Sequence, residues 1–119
     1  MHPEPLLLSG MLQAADEITK TLATSCRESF QGDDPVHTAV LDRLVLIGEA
    51  AAGLSEAFRE LHPEVAWGAM IAFRDMVLGS AVPIEWGLVW TTATEDVPEL
   101  SRQVAAILHF EFAPADLPE

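Results

Sequence analysis

Tyrosine is absent from this 119-residue chain, lysine and cysteine occur once each, and no apolar run approaches the ~20 residues of a membrane span. Each shortage excludes something. A single cysteine, Cys26, cannot form an internal disulfide and suits a reducing compartment. With Lys20 the only lysine, and five arginines scattered among 19 acidic residues, the net charge is −13. No basic face can be built to displace counterions from duplex DNA, so a DNA binder is not expected. An enzyme that touches RNA only in a narrow cleft stays compatible with that charge. The excess acid serves solubility first; as a binding surface it suits a basic protein better than a nucleic acid. Met1-His2-Pro3-Glu4-Pro5 lacks the basic start of a secretory signal, and Leu6-Leu7-Leu8 is too short for its apolar stretch. A soluble cytoplasmic protein with no membrane partner is the expectation.

What is present is apolar and periodic. Half the residues are hydrophobic and the mean hydropathy is +0.23, enough for one domain over 1–119 with a core of its own. Leu8, Met11, Ala15, Ile18 and Leu22 mark one face of a first amphipathic helix. A polar break from Cys26 to Asp34 follows, with Asp34 the expected N-cap ahead of Pro35. Val40, Leu44, Ile47, Ala51, Leu54 and Phe58 predict a second helix. Its small residues from Gly48 to Gly53 predict a close helix contact, because each interior glycine otherwise costs roughly 1 kcal/mol. His62-Pro63-Glu64 breaks that pattern. A third helix carries Trp67, Met70, Ile71, Val77 and Leu78 on one face, with Arg74 in the same stripe, and ends at Gly79-Ser80 and Pro83. A short segment with Trp86 and Trp90 fades into Thr91, Thr92 and Thr94. Asp96, Pro98 and Glu99 then read as a capping box for a last helix with Val97, Leu100, Val104 and Ile107 inside. The tail after Phe112 is expected to fray. The predicted fold is all-α, an antiparallel up-and-down bundle of four to five helices.

Several chemistries are missing. Neither His62 nor His109 has the carboxylate three residues earlier that a di-iron bundle supplies, since Arg59 and Ala106 stand there. Asp34 and His37 do have that spacing, but helix capping accounts for it. Cys26 and the four histidines show no zinc spacing, and there is no phosphate-binding glycine loop or nucleophile elbow. No metal and no cofactor is expected. His109, near the end of the last helix, suits the negative pole of the helix dipole.

The order of features then becomes specific. Leu46-Ile47-Gly48-Glu49-Ala50-Ala51, His62-Pro63-Glu64-Val65-Ala66-Trp67, Arg74-Asp75, Val89-Trp90 and Asp96-Val97-Pro98-Glu99-Leu100 together resemble the HepT-like family of HEPN-domain proteins, from about Val40 to Leu108. The resemblance implies a helical bundle that homodimerises. It also implies the toxin role in a toxin–antitoxin module, whose antitoxin partner is a cognate nucleotidyltransferase. In that family an Arg-x-x-x-x-His-x-Tyr motif cuts RNA without metal, in a cleft at the dimer interface. The arginine carries over onto Arg74 and the polar residue after it onto Asp75. The histidine position holds Gly79 and the tyrosine position Ala81.

These departures matter chemically. A group that takes or gives a proton contributes ~10²–10⁴-fold in rate, and glycine can do neither. Arg74 retains the means to stabilise phosphate charge, while Asp75 adds a negative charge where a polyanion would lie. The family's antitoxin is understood to silence the toxin by adenylylating the motif tyrosine, a control with no acceptor in a chain without tyrosine. Natural degeneration and engineered removal of two catalytic residues both give Gly79 and Ala81; the retained Arg74-Asp75 and the departure of Ser80-Ala81-Val82-Pro83 from the family's loop favour the first. The expected function is thus a toxin–antitoxin component that has lost RNA cleavage and works as a dimeric partner-binding protein. The alternative is an endoribonuclease with an altered site that uses Arg74, Asp75 and a histidine from elsewhere. Arg74 on an apolar face must either be paired, with Glu49 the expected partner, or line a wet cleft as a remnant catalytic or phosphate-binding group. Trp67, Trp86 and Trp90 read as core or interface anchors.

Overall fold

A computed structural model describes residues 3–79 and 83–112. Their regular structure is all helical, with no strand among the described residues, as the periodicity predicts. The elements are α1 (Pro3–Leu22), α2 (Arg27–Gln31), α3 (Asp34–Gly53), α4 (Glu56–Leu61), α5 (Trp67–Gly79), α6 (Trp86–Thr91) and α7 (Val97–Glu111). A π turn, Thr92–Asp96, joins α6 to α7 without a break, so the two form one long rod. The rods lie side by side in the order α5, α3, α1, α7, with α2 packed on α6.

The core is what the apolar stripes predict. Leu8, Met11 and Ile18 of α1 meet Val40, Leu44 and Ile47 of α3, all at most 1% exposed. Val97, Val104 and Ile107 bring in α7, while Trp67, Met70 and Phe73 bring in α5. Removing such a stripe residue, for instance Ile47→Ala, costs about 2–5 kcal/mol in lost transfer energy and residual cavity.

Local chemistry corrects four expectations. The polar break contains a helix: Cys26 caps α2 by accepting from the Ser29 amide, and the Ser29 hydroxyl accepts from the Cys26 amide in return. That short turn exists to bury Phe30, which is fully enclosed. The cap of α3 is Asp33, whose Oδ1 accepts from Val36 N at 3.2 Å, and Asp34 begins the helix with its carboxylate in solvent. The second helix stops at Gly53, because Leu54 is extended (φ −70°, ψ 147°) and Ser55 caps a separate α4 that carries Phe58. Asp96 is not a cap. Its backbone is helical (φ −75°, ψ −39°), its carboxylate makes no cap hydrogen bond, and Glu99 accepts from Arg102 instead of closing a capping box. Pro98 brings no N–H and crowds the preceding turn. The wider π turn before it absorbs that mismatch, and the Thr91 and Thr94 hydroxyls donate back to carbonyls four residues earlier. The tail expected to fray lies almost wholly at 113–119, outside the described residues.

Candidate functional site

The site is built on α5 where α3 crosses it. Met70 is buried and Arg74 follows one turn later, so both side chains leave the helix along the edge that faces α3. Gly48 is the α3 residue at that crossing. A Cβ added there would lie 2.6 Å from the Met70 carbonyl oxygen and 2.6 Å from Arg74 Cβ, closer than real Cβ contacts come. The small-residue run therefore makes the close helix contact its composition predicts, and the contact seats the stem of Arg74. Its guanidinium emerges at the surface with 23% of the side chain exposed.

Arg74 Nε and Nη2 both donate to one oxygen of Asp75, at 3.0 and 2.7 Å. The expected partner, Glu49, is exposed and takes no part. Geometry explains the correction: one residue is about 100° of helix, so with Gly48 turned to α5 its neighbour is carried to solvent. Asp75 is 61% exposed, and surface ion pairs of this kind contribute about 0–1 kcal/mol. The pair cancels charge where a polyanion would sit, yet it is weak enough for a phosphate to compete for the guanidinium.

Gly79 is the last residue of α5, and a Cβ there would meet nothing within 4 Å. The position has room for a side chain and carries no proton-transfer group. Ala81, and Ser80 and Val82 beside it, lie outside the described residues. Around this end of α5 the surface is apolar: Met76, Leu78 and Leu88 are 39%, 66% and 45% exposed. Met76 and Leu88 rim a cavity of about 360 Å³ between α5 and the α6–α7 rod, with Phe73 and Ala69 in its floor.

Among the described residues no histidine is brought to replace the missing one. His37 is 3% exposed, stacks on Trp86 (centroids 3.8 Å apart, planes at 13°) and meets Phe30 edge-on at 4.7 Å. Its Nε2 pairs with the Phe30 carbonyl, which can only accept, so Nε2 carries a proton; Nδ1 lies 3.7 Å from Asp34. This histidine is buried where α2, α3 and α6 meet and fastens them together. His62 precedes α5, and its carbonyl accepts from Trp67 Nε1 at 3.0 Å. Position 79 is at the other end of that helix, roughly 18 Å away along its axis. His109 is exposed in the last turn of α7, as the dipole argument expects. Among the described residues no group of three His, Cys, Asp or Glu is placed to hold a metal ion, and no helix is long and apolar enough to cross a membrane.

Two clusters escaped the sequence reading. Phe30, His37, Trp86 and Trp90 form one aromatic knot, for which the only signal was a phenylalanine inside a polar stretch. His62, Glu64 and Glu111 form another, across 49 residues of sequence, with no local signal at all.

Comparison with known proteins converges on one family. A family profile described as Ribonuclease HepT-like matches residues 11–107. The chain is 31% identical over 93 residues to "Probable ribonuclease HepT" of Thermococcus cleftensis, covering 78% of this chain and 84% of the relative. A protein named as an RNase from Caldanaerobacter subterraneus is 30% identical over 109 residues, 92% of this chain and 96% of the relative. Another so named, from Methanocaldococcus jannaschii, is 27% identical over 100 residues, 84% of this chain and 92% of its own. No solved structure gives a significant match.

Proposed function

Because the chain belongs to the HepT-like ribonuclease family, we propose that it is a toxin–antitoxin component that has lost RNA cleavage and acts in the cytoplasm as a dimeric partner-binding protein. The observation that carries this reading is the pairing of an empty position 79 with a neutralised Arg74. In Gly79 the motif has open space where its proton-transfer group belongs, and its remaining cation donates twice to Asp75. Metal-free cleavage requires a proton to leave the 2′-hydroxyl and another to reach the leaving oxygen. Neither His37, locked against Phe30 and Trp86, nor His62, beyond the far end of α5, supports a replacement.

Dimerisation is supported by the apolar surface at the end of α5 and the start of α6. Leu78 stands exposed within the motif and Leu88 beside Met76, and water-exposed leucines favour burial against a second copy. The partner is a cognate nucleotidyltransferase. Its control of this chain is by binding alone, since there is no tyrosine to modify.

Cleavage of total cellular RNA by the purified chain tests the reading, with Arg74→Ala and growth on expression alongside. The expected result is no cleavage by either protein and no growth inhibition. Robust cleavage that disappears in Arg74→Ala would overturn the proposal and establish the second reading, an endoribonuclease with an altered site. One observation favours that alternative: the Arg74 guanidinium still reaches solvent, where a phosphate can meet it.

A further inference from the structure

Between α5 and the α6–α7 rod the bundle is open along its length, and its two halves differ. The half beside Met76 and Leu88 is apolar. The other half is acidic and contains a cavity of about 410 Å³ lined by His62, Glu64, Gln103, Ile107, Phe110 and Glu111 among others. A recess of about 230 Å³ adjoins it, sharing Glu64 and Gln103 and adding Asp96 and Glu99.

The polar groups of this half want a donor. His62 is 7% exposed, and its Nε2, 3.0 Å from Glu111 Oε2, makes no well-directed hydrogen bond among the described residues. Its Nδ1 faces Glu64 Oε2 at 3.6 Å. Whichever ring nitrogen holds a proton, the two carboxylates present four acceptor oxygens to at most two ring N–H groups. Arg102 is the one arginine in the lining, and Glu99 already holds its guanidinium. Beside these carboxylates Phe110 stands 80% exposed, over Ile107. An occupant must therefore bring positive charge, several N–H donors and an apolar surface.

Resting on the partner-binding reading above, we infer that this half of the groove docks a basic amphipathic segment of the partner protein. A lysine or arginine enters between Glu64 and Glu111, and the segment's apolar side lies on Ile107 and Phe110. An ammonium or guanidinium donates to both carboxylates, adding donors beyond the ring N–H of His62, while its stem or a neighbouring side chain covers the phenyl ring. RNA is the wrong sign for this surface. A second copy is too, because a symmetric contact here would set Glu64 and Glu111 against their own counterparts.

The probe is a dye-labelled synthetic helix-forming peptide, leucine on one face and lysine on the other, titrated with the full chain and followed by fluorescence polarisation. A scrambled peptide of the same composition is the control. Binding is expected for the amphipathic peptide and not for the scrambled one. Glu64→Gln with Glu111→Gln should weaken it at least about tenfold, and Phe110→Ala should weaken it without altering charge. Asp16→Asn with Asp42→Asn removes the same charge elsewhere and should change affinity less than about twofold. Equal weakening by the two double variants, or equal binding of the scrambled peptide, would reduce the effect to the general field of an acidic protein and overturn the inference. So would no binding, or a change in mass by light scattering in Phe110→Ala, which would make the groove a self-interface. RNA cleavage by the wild-type chain would sink the functional reading while leaving the peptide result standing. A stable complex with the nucleotidyltransferase, formed when the peptide fails to bind, would sink the groove alone.

Discussion

Gly48→Ala is the sharpest test of how this site is built. The added methyl would sit 2.6 Å from the Met70 carbonyl oxygen and from Arg74 Cβ, where ordinary contact begins at 3.4 Å. Both obstacles belong to helix backbone or its first side-chain carbon, so neither can swing aside, and α3 and α5 must part by roughly 0.8 Å to restore contact distance. Overpacking of that kind costs about 1–3 kcal/mol, and the rigidity of the obstacles argues for the upper end. Alanine returns about 1 kcal/mol over glycine inside a helix. The net expectation is a loss of about 1–2 kcal/mol, or a fall in Tm of about 4–10 °C for a domain of this size. Thermal unfolding followed by circular dichroism measures it, with two internal standards. At Gly53 the nearest atom is a flexible Leu7 methyl at 3.3 Å, so Gly53→Ala should be close to neutral. Gly10 has nothing within 4 Å, and Gly10→Ala should gain about 0.5–1 kcal/mol. A Gly48→Ala protein that melts at or above wild type, or in step with Gly10→Ala, would refute the close helix crossing and with it the account of how Arg74 is held.

Restoring the motif with Gly79→His and Ala81→Tyr should raise RNA cleavage by ~10²–10⁴-fold over the parent or make expression toxic, since position 79 has open space among the described residues. A folded double variant with neither effect would show that the cleft has changed beyond these two residues. Leu78→Asp should lower the mass measured by light scattering from dimer to monomer while the helical circular dichroism spectrum is kept, since the side chain is 66% exposed on the single chain; an unchanged mass would remove this leucine from the interface. His37→Ala removes a ring that stacks on Trp86 and leaves the Phe30 carbonyl without its partner. A loss of about 2–4 kcal/mol by chemical denaturation is expected, and a loss under about 1 kcal/mol would mean that the knot does not hold α2 in place.

The sequence by itself determined the bundle. Apolar spacing of three and four is a property of single helices, so the faces of α1, α3, α5 and α7 were legible one at a time, as was the family through Gly48-Glu49, Arg74-Asp75 and Asp96-Val97-Pro98-Glu99. The absence of a histidine from position 79 is equally a fact of sequence. What the tertiary structure decided were the matters that depend on two elements at once. Whether Gly48 or Glu49 faces Arg74 turns on the rotation of α3 about its axis, set by how Val40, Leu44 and Ile47 seat in the core. Whether Asp96 caps a helix or sits inside one turns on α6 and α7 joining through a π turn. The corner where His62 meets Glu64 and Glu111 exists only because the end of α7 returns to the start of α5. Periodicity fixes which side of a helix is apolar, but only packing against a neighbour fixes where its edges point, and functional side chains sit on those edges.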